Sequence, residues 1–290
     1  MKVKQTIGDN ILDVFVYIFV TLFCISTLIP FWNVFVISIT PSSVATMKFE
    51  FWPKTVDFSA WRAIISSEFM WQSFYNTVVR TVLGTAISLV LTVTTAYPLS
   101  KKKFIGRKAF LFMVTFTMIF SGGVIPTYLL VKNLNMINTI WALLIPSAIA
   151  PFYVIVMKSF FESIPDAIEE SAFLDGANDI VILMKIALPL SLPSIATIAL
   201  WTAVSQWNSW FDVVLYINDR SKYVLQMVLR EMQTQEAAVM DINTSMGMVL
   251  PTAEAVRNAS TLFVTIPILL VYPFLQKYFI KGVTIGAVKG

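Results

Sequence analysis

Few residues in this chain are equipped for covalent chemistry. The 290 residues include no histidine and a single cysteine, Cys24. Zinc or haem held by imidazole, Ser-His and Cys-His nucleophile pairs and histidine proton relays are therefore excluded. A disulfide within the chain is excluded as well. No Gly-x-x-x-x-Gly-Lys-Ser/Thr occurs, so the chain cannot cradle ATP itself. Two groups of polar side chains remain. Asp166, Glu169, Glu170, Asp175 and Asp179 crowd one stretch, with no basic residue nearer in sequence than Lys158 or Lys185. Trp201, Gln206, Trp207, Asn208 and Trp210 form a second group of amides and indoles, suited to hydrogen bonding and stacking rather than bond breaking. The net charge of +4 carries no stripe of alternating arginines and aromatics, so nucleic acid is not an expected partner.

The elements that must hold these groups are membrane helices. Hydrophobic residues make up 57% of the chain and charged residues 13%, against about 25% charged in ordinary globular proteins. Splitting at every Asp, Glu, Lys and Arg leaves six charge-free runs of eighteen residues or more: 14–47, 81–100, 109–131, 133–157, 186–211 and 258–276. Each is long enough to cross roughly 30 Å of hydrocarbon as a helix. Barrel strands would be shorter and alternate in polarity, so an all-α integral membrane fold with six spans is expected, near 14–39, 75–100, 109–131, 138–160, 186–208 and 258–278. The first run is too long for a signal-peptide core and should stay as an anchor. Pro30 inside it predicts a kink or the end of the span.

With six spans, Lys and Arg divide twelve to nine between the two sides, and the KKKFIGRK loop packs five of the twelve into residues 101–108. This bias puts both termini in the cytoplasm of a multi-pass cell-membrane protein. The same loop suits contact with anionic membrane lipid.

Three loops are long enough to be ordered. Residues 48–80, outside, are rich in aromatics fit for the lipid interface or for covering the spans. Residues 212–257, also outside, carry most of the external charge and a helix-like stretch from Lys222 to Met240, and read equally as a docking surface or a solvated cap. The cytoplasmic loop 158–185 carries the most information. Ser163 is placed as an N-cap, with Asp166, Glu169 and Glu170 favouring the positive end of the helix dipole. Ile164, Ala167, Ile168 and Ala172 share one helical face, and Gly176 stands where a left-handed stop belongs. A second helix should run from about Asn178 into the fifth span, past Pro189 and Pro193. A helix so anchored either lies on lipid or sits in a groove of a soluble partner; five acids facing an anionic leaflet disfavour the first.

This loop resembles the signature of permease subunits of binding-protein-dependent ABC importers: Glu-Ala-Ala, three residues, Gly, nine residues, Ile, one residue, Leu-Pro. Here Glu170-Ser171-Ala172, Gly176 and Ile186-Ala187-Leu188-Pro189 fill it, with serine for the first alanine. The segments FSGGVIPTYLLVKNLNMINTIWALLIP (120–146) and QWNSWFDVVLYI (206–217) are similar to the carbohydrate-importing branch, the oligosaccharide permeases common in Gram-positive bacteria. The resemblance implies a type I importer fold with its core over 75–281, a coupling helix in loop 162–185 and an extracellular loop over 209–257. It assigns ATPase coupling to Glu169, Glu170, Ser171, Ala172, Asp175, Gly176, Ala177, Leu188 and Pro189. The implied partners are a second homologous permease, a cytoplasmic ABC ATPase dimer that binds the ATP and magnesium, and an extracellular solute-binding protein that meets the 212–257 loop. The tail after Lys277 is implied to touch the ATPase.

Sugars are held by aromatic faces and by amide and hydroxyl groups, which nominates Gln206, Asn208, Trp201, Trp207, Trp210, Ser121 and Tyr128 for the path, with Gly122 and Gly123 beside them. The same indoles read as an interfacial belt and the glycines as close helix packing. Two other classes make demands of the sequence. An ion-coupled secondary transporter wants acids within its spans, and a membrane-embedded enzyme wants histidines, paired acids or metal ligands near the bilayer; neither set is present.

Overall fold

A computed structural model describes residues 7–41, 51–234 and 252–287, with side chains as far as Val271. All secondary structure among the described residues is helical. The chain divides into two compact units, residues 1–68 with 231–265 and residues 69–230 with 266–290.

In the first unit, α1 (Ile7–Ser38) is a continuous helix that carries Pro30 internally, so the proline does not end it as expected. Its large apolar side chains are exposed from Ile11 to Phe31, as lipid-facing groups would be. Burial begins near its C-terminal end, at Val36 and Ile39, and resumes in α2 (Ser59–Ser66) at Ala60, Ala63 and Ile64. Trp61 Nε1 donates to Ser38 Oγ at 3.2 Å and the Asp57 amide to the Ile39 carbonyl at 2.9 Å, which ties the aromatic loop back onto α1. Its aromatics thus cover the helix end.

The second unit is built on α3 (Glu68–Ser100). The buried stripe of α3 is Ser73, Thr77, Arg80, Gly84, Ser88, Thr92 and Ala96, small but for the arginine and spaced by three or four residues. Small residues on one face let helices approach closely where lipid offers no hydrophobic drive for association. Near the other end of α3, Ala96, Tyr97 and Leu99 form one core with Val154, Met157 and Phe161 of α7 (Pro151–Glu162) and with Ile164, Ala187 and Ile198. A second core gathers Val131, Ala142, Leu143, Val213, Tyr216, Ile217 and Val224.

The middle of the chain departs from straight spans. α4 (Arg107–Ile119) and α5 (Val124–Asn133) meet at 114° across Phe120-Ser121-Gly122-Gly123, where Gly123 has φ +86°. Run 133–157 folds as α6 (Trp141–Leu144) and α7, with a non-helical link before Pro151. α8 (Asp166–Leu174) follows, then α9 (Asp179–Ile182), which passes through a π turn over Leu183–Ala187 into α10 (Leu188–Leu190). The chain bends by 79° into α11 (Leu192–Asn208), at Ser191 between Pro189 and Pro193. α12 (Phe211–Tyr216), α13 (Leu225–Thr234) and α14 (Ala253–Ala287) complete the order. Among the described residues three helices are long and apolar enough to cross a membrane, and the two bent pairs meet the same test when each is taken as one span. The last part of the helix expected over Lys222 to Met240 lies outside the described residues, as do the side chains of the tail after Lys277.

Candidate functional site

Two polar clusters stand out in the second unit, one at each end of α3. The first is built around α8. Ile164 is buried, and Pro165 takes the N-cap position with φ −58° and ψ 128°. The expected cap, Ser163, instead closes α7, its Oγ donating to the Phe160 carbonyl at 2.7 Å. Proline has no side-chain acceptor for the first-turn amides, so α8 begins without a side-chain cap. Asp166 and Glu169 lie in its first turn, where the dipole favours anions.

α8 ends as its sequence predicts. Gly176 has φ +85°; its amide donates to the Phe173 carbonyl at 3.0 Å and the Ala177 amide to the Ala172 carbonyl at 2.9 Å, the paired bonds of a Schellman stop. A Cβ on Gly176 would meet nothing within 4 Å, so glycine is required by backbone conformation, not by space. Asn178 then caps α9, accepting from the Val181 amide at 2.9 Å.

The side of α8 turned toward the protein differs from the expected one. Ala167 and Ile168 are exposed, and the one buried residue of α8 is Glu169. Lys101, which follows α3, forms an ion pair with Glu169, and its ammonium lies 4.4 Å from the centroid of the Tyr97 ring. Tyr97 in turn meets Phe161 edge to face at 5.5 Å. Beside them Arg107 bonds Glu162 at 2.6 Å and the Leu99 carbonyl at 2.8 Å, and Lys158 bonds Glu162 at 2.7 Å. The acids of this loop therefore do have basic neighbours, supplied by the KKKFIGRK loop: Lys101 at Glu169 and, at 3.9 Å, Lys102 at Asp166. Three of the five cations expected to face lipid, Lys101, Lys102 and Arg107, are directed at carboxylates instead. Glu170, Ser171, Asp175 and the apolar Ile168, Phe173, Leu174 and Ile180 are left on the surface, Leu174 at 89% exposure.

The second cluster is centred on Arg80, which is 1% exposed. Its guanidinium pairs with both carboxylate oxygens of Asp212, donates through Nε to Gln206 Oε1 at 3.0 Å and reaches the Ser209 carbonyl at 3.4 Å. Ser209 Oγ adds a bond to Asp212 at 2.9 Å, and Gln206 Nε2 reaches Ser147 Oγ at 3.4 Å. A buried guanidinium is tolerable only when its fork is filled in this way.

The residues nominated for a sugar path are not brought to one place. Gln206 uses its amide on Arg80 and Ser147. Asn208 bonds the Val204 carbonyl at 2.9 Å and accepts from Gln226 at 3.1 Å. Trp201 stacks on Tyr153, Trp207 meets Phe74 edge on, and Trp210 has the Arg230 guanidinium 3.8 Å above its ring. Tyr128 stacks on Tyr216 at 6.2 Å, while Ser121 is exposed in the bend between α4 and α5. Sequence reasoning missed Arg80, Asp212 and Lys101. A signal for the first two existed: Arg80 abuts the start of run 81–100 and Asp212 the end of run 186–211.

The sequence matches the family described as binding-protein-dependent transport system inner membrane component over residues 84–285. The chain belongs to this family. The permease is 42% identical to the polygalacturonan/rhamnogalacturonan transport system permease protein YtcP of Bacillus subtilis (strain 168), over 97% of this chain and 99% of that protein. It is 44% identical to protein LplC of the same organism, over 91% and 90% of the two chains. Among solved structures it is similar to a chain in the crystal structure of a bacterial ABC transporter involved in the import of the acidic polysaccharide alginate. The TM-score there is 0.85 at 32% identity, covering 96% of this chain and 100% of the other. The fold is that of type I permeases, the chain belongs with the sugar-transporting ABC permeases, and ATP hydrolysis is the work of a separate subunit.

The matched residues of the permease include the whole of the α8 cluster and start just after Arg80. Beyond Arg80, the segment after α12 is fastened to α3 by Asn76, which donates to the Ser221 and Tyr223 carbonyls at 2.8 and 3.0 Å, and by Thr77, which accepts from the Leu225 amide at 2.8 Å. Asn138, in the left-handed region at φ 61°, accepts from the amides of Asn218 and Asp219. The Ser221 hydroxyl and amide hold the Asp219 carboxyl below its ordinary range. Among the described residues no three His, Cys, Asp or Glu are grouped to hold a metal.

Proposed function

We propose that this permease is one of two homologous subunits forming a pore that imports an oligosaccharide into the cytoplasm, driven by a separate ATPase dimer that docks on α8 and binds the ATP and magnesium. The observation that carries this reading is the Schellman-stopped α8. Its Glu170-Ser171-Ala172 triplet stands in the signature spacing to Gly176, with Glu170, Ser171 and the neighbouring Leu174 exposed, and the same chain segment runs on through α9 into α11. An amphipathic helix held at both ends by longer helices transmits the displacement of a groove that grips it.

In this reading the chain makes six spans with both termini in the cytoplasm: the three long helices, the bent pairs α4–α5 and α9–α11 counted as one each, and α6 with α7 as the sixth. The segment after α11 then lies outside, where a solute-binding protein delivers cargo. The names of two relatives, one a polygalacturonan/rhamnogalacturonan permease and one an alginate importer, make a uronate-bearing oligosaccharide the first cargo to try.

The test is purification of the permease with its co-assembling subunits from native membranes, followed by reconstitution in liposomes. Uptake of an oligogalacturonide that requires ATP and the binding protein is the expected result. Uptake driven by an imposed proton or sodium gradient without ATP would overturn the reading.

A further inference from the structure

α8 is held to the rest of the unit in an unusual way. A surface helix ordinarily takes its position from an apolar stripe pressed against a core. Here Ile168, Phe173 and Leu174 are exposed, Ala172 is half-buried, and the one buried side chain of the helix is the carboxylate of Glu169. Its partner, Lys101, is not a chain neighbour: it lies 68 residues earlier and directly follows α3. The Lys101 ammonium is itself held over the Tyr97 ring, and that ring packs edge to face on Phe161 at the end of α7. Glu169 thus docks α8 onto a cation fixed to the junction of α3 and α7. The neighbouring Arg107–Glu162 bond fastens the 101–107 loop to α7 independently, without involving α8.

We infer that Lys101 and Glu169 are positioning residues of the coupling step: their ion pair is the tie through which displacement of α8 reaches α3. This rests on the coupling reading above. Glu169 precedes the Glu-Ala-Ala-like triplet and faces the permease, whereas Glu170 faces away, so the two adjacent acids divide between an inward tie and an outward surface. Besides the backbone, the other polar contact described between the α3 end and α8 is Lys102–Asp166 at 3.9 Å, between two exposed side chains, which leaves the sheltered Lys101–Glu169 pair as the firmer hold.

The experiment uses the whole reconstituted complex and measures ATP hydrolysis and saccharide uptake separately. Lys101→Glu, Glu169→Lys and the exchanged double variant are compared with the near-isosteric Glu169→Gln, which removes only charge. Each single variant is expected to assemble and hydrolyse ATP, with uptake per ATP reduced about tenfold, within the span that coupling residues distant from ligands command. The exchanged double variant should recover most of that loss. Normal uptake per ATP in Glu169→Gln, or an exchanged variant as uncoupled as either single one, would overturn the inference. The underlying reading fails differently: wild-type uptake would then be independent of ATP whatever the variants do.

Discussion

α3 holds one cation, Arg80, within its length and is followed by another, Lys101, directly past its C-terminus, and the two are managed in opposite ways. Arg80 and Lys101 are separated by roughly 30 Å of helix. The Arg80 side chain is 2% exposed and its fork is filled by Asp212, Gln206 and the Ser209 carbonyl. The Lys101 side chain is 26% exposed, with one carboxylate partner and one aromatic ring. Guanidinium suits the first place because its planar donors fix several groups at once, and ammonium suits the second because a point charge tolerates rotation about its bond. One end of the helix is riveted and the other jointed. A transporter that moves by rocking helices needs both, a fixed polar anchor to pivot on and a bond near water that keeps its strength while the geometry changes.

Breaking the rivet should have the largest effect. Arg80→Leu leaves buried Gln206 and half-buried Asp212 without their shared partner and is expected to cost about 3 kcal/mol, the low end for removal of one member of a buried ion pair. Thermal unfolding of the purified complex in detergent measures it, and a shift no larger than that of a surface substitution would count against the network. Gly84→Val comes next. A Cβ there would stand 2.8 Å from Gln206 Cδ, whose amide is held by Arg80, so a cost of about 1–3 kcal/mol is expected. Adding Gln206→Ala should recover part of that loss, and strictly additive stabilities would contradict the close approach.

At the jointed end the effects are smaller in stability and larger in function. Gly176→Val forces a β-branched residue into φ +85° at about 1–3 kcal/mol, and uptake should fall while membrane insertion persists; Gly176→Asn should be milder. Normal uptake by the valine variant would argue that α8 has no coupling role. Arg107→Gln is expected to change stability least, by no more than about 1 kcal/mol, because the Arg107–Glu162 pair is about one-third exposed on both sides. High salt should erase most of the difference from wild type if that pair is as solvated as it looks.

The legibility of these features follows their range along the chain. The stop at Gly176 and the helix start at Asn178 could be read because a helix stop or cap is decided within a few residues, whereas the 79° bend at Ser191 interrupts a helix expected to run on into the fifth span. The burial of Arg80 could not, because dividing the sequence at charges treats every charge as the boundary of a span. Lys101 and Glu169 were each visible, but their pairing spans 68 residues and no local rule joins them. Ser163 was a reasonable cap by composition; Pro165 displaced it by beginning the helix two residues later. Gly122-Gly123 read as close helix packing or as neighbours of the sugar path, yet Gly123 at φ +86° lies where the chain turns by 114°. Gln206 is nominated by its sequence for a sugar path, and in the structure its amide bonds Arg80 and Ser147.

The π turn at Leu183–Ala187 lies on the only covalent route from α8 to α11. A π turn closes its hydrogen bonds over one more residue than the α-helix around it, and the surplus residue is absorbed within the turn. Excising one residue from Leu183–Ala187 is expected to heal the turn into regular helix and mend the local hydrogen bonding, while the 79° bend at Ser191 and the Gln206–Arg80 bond beyond it persist. The irregular turn is thus a local slack in the link between α8 and α11.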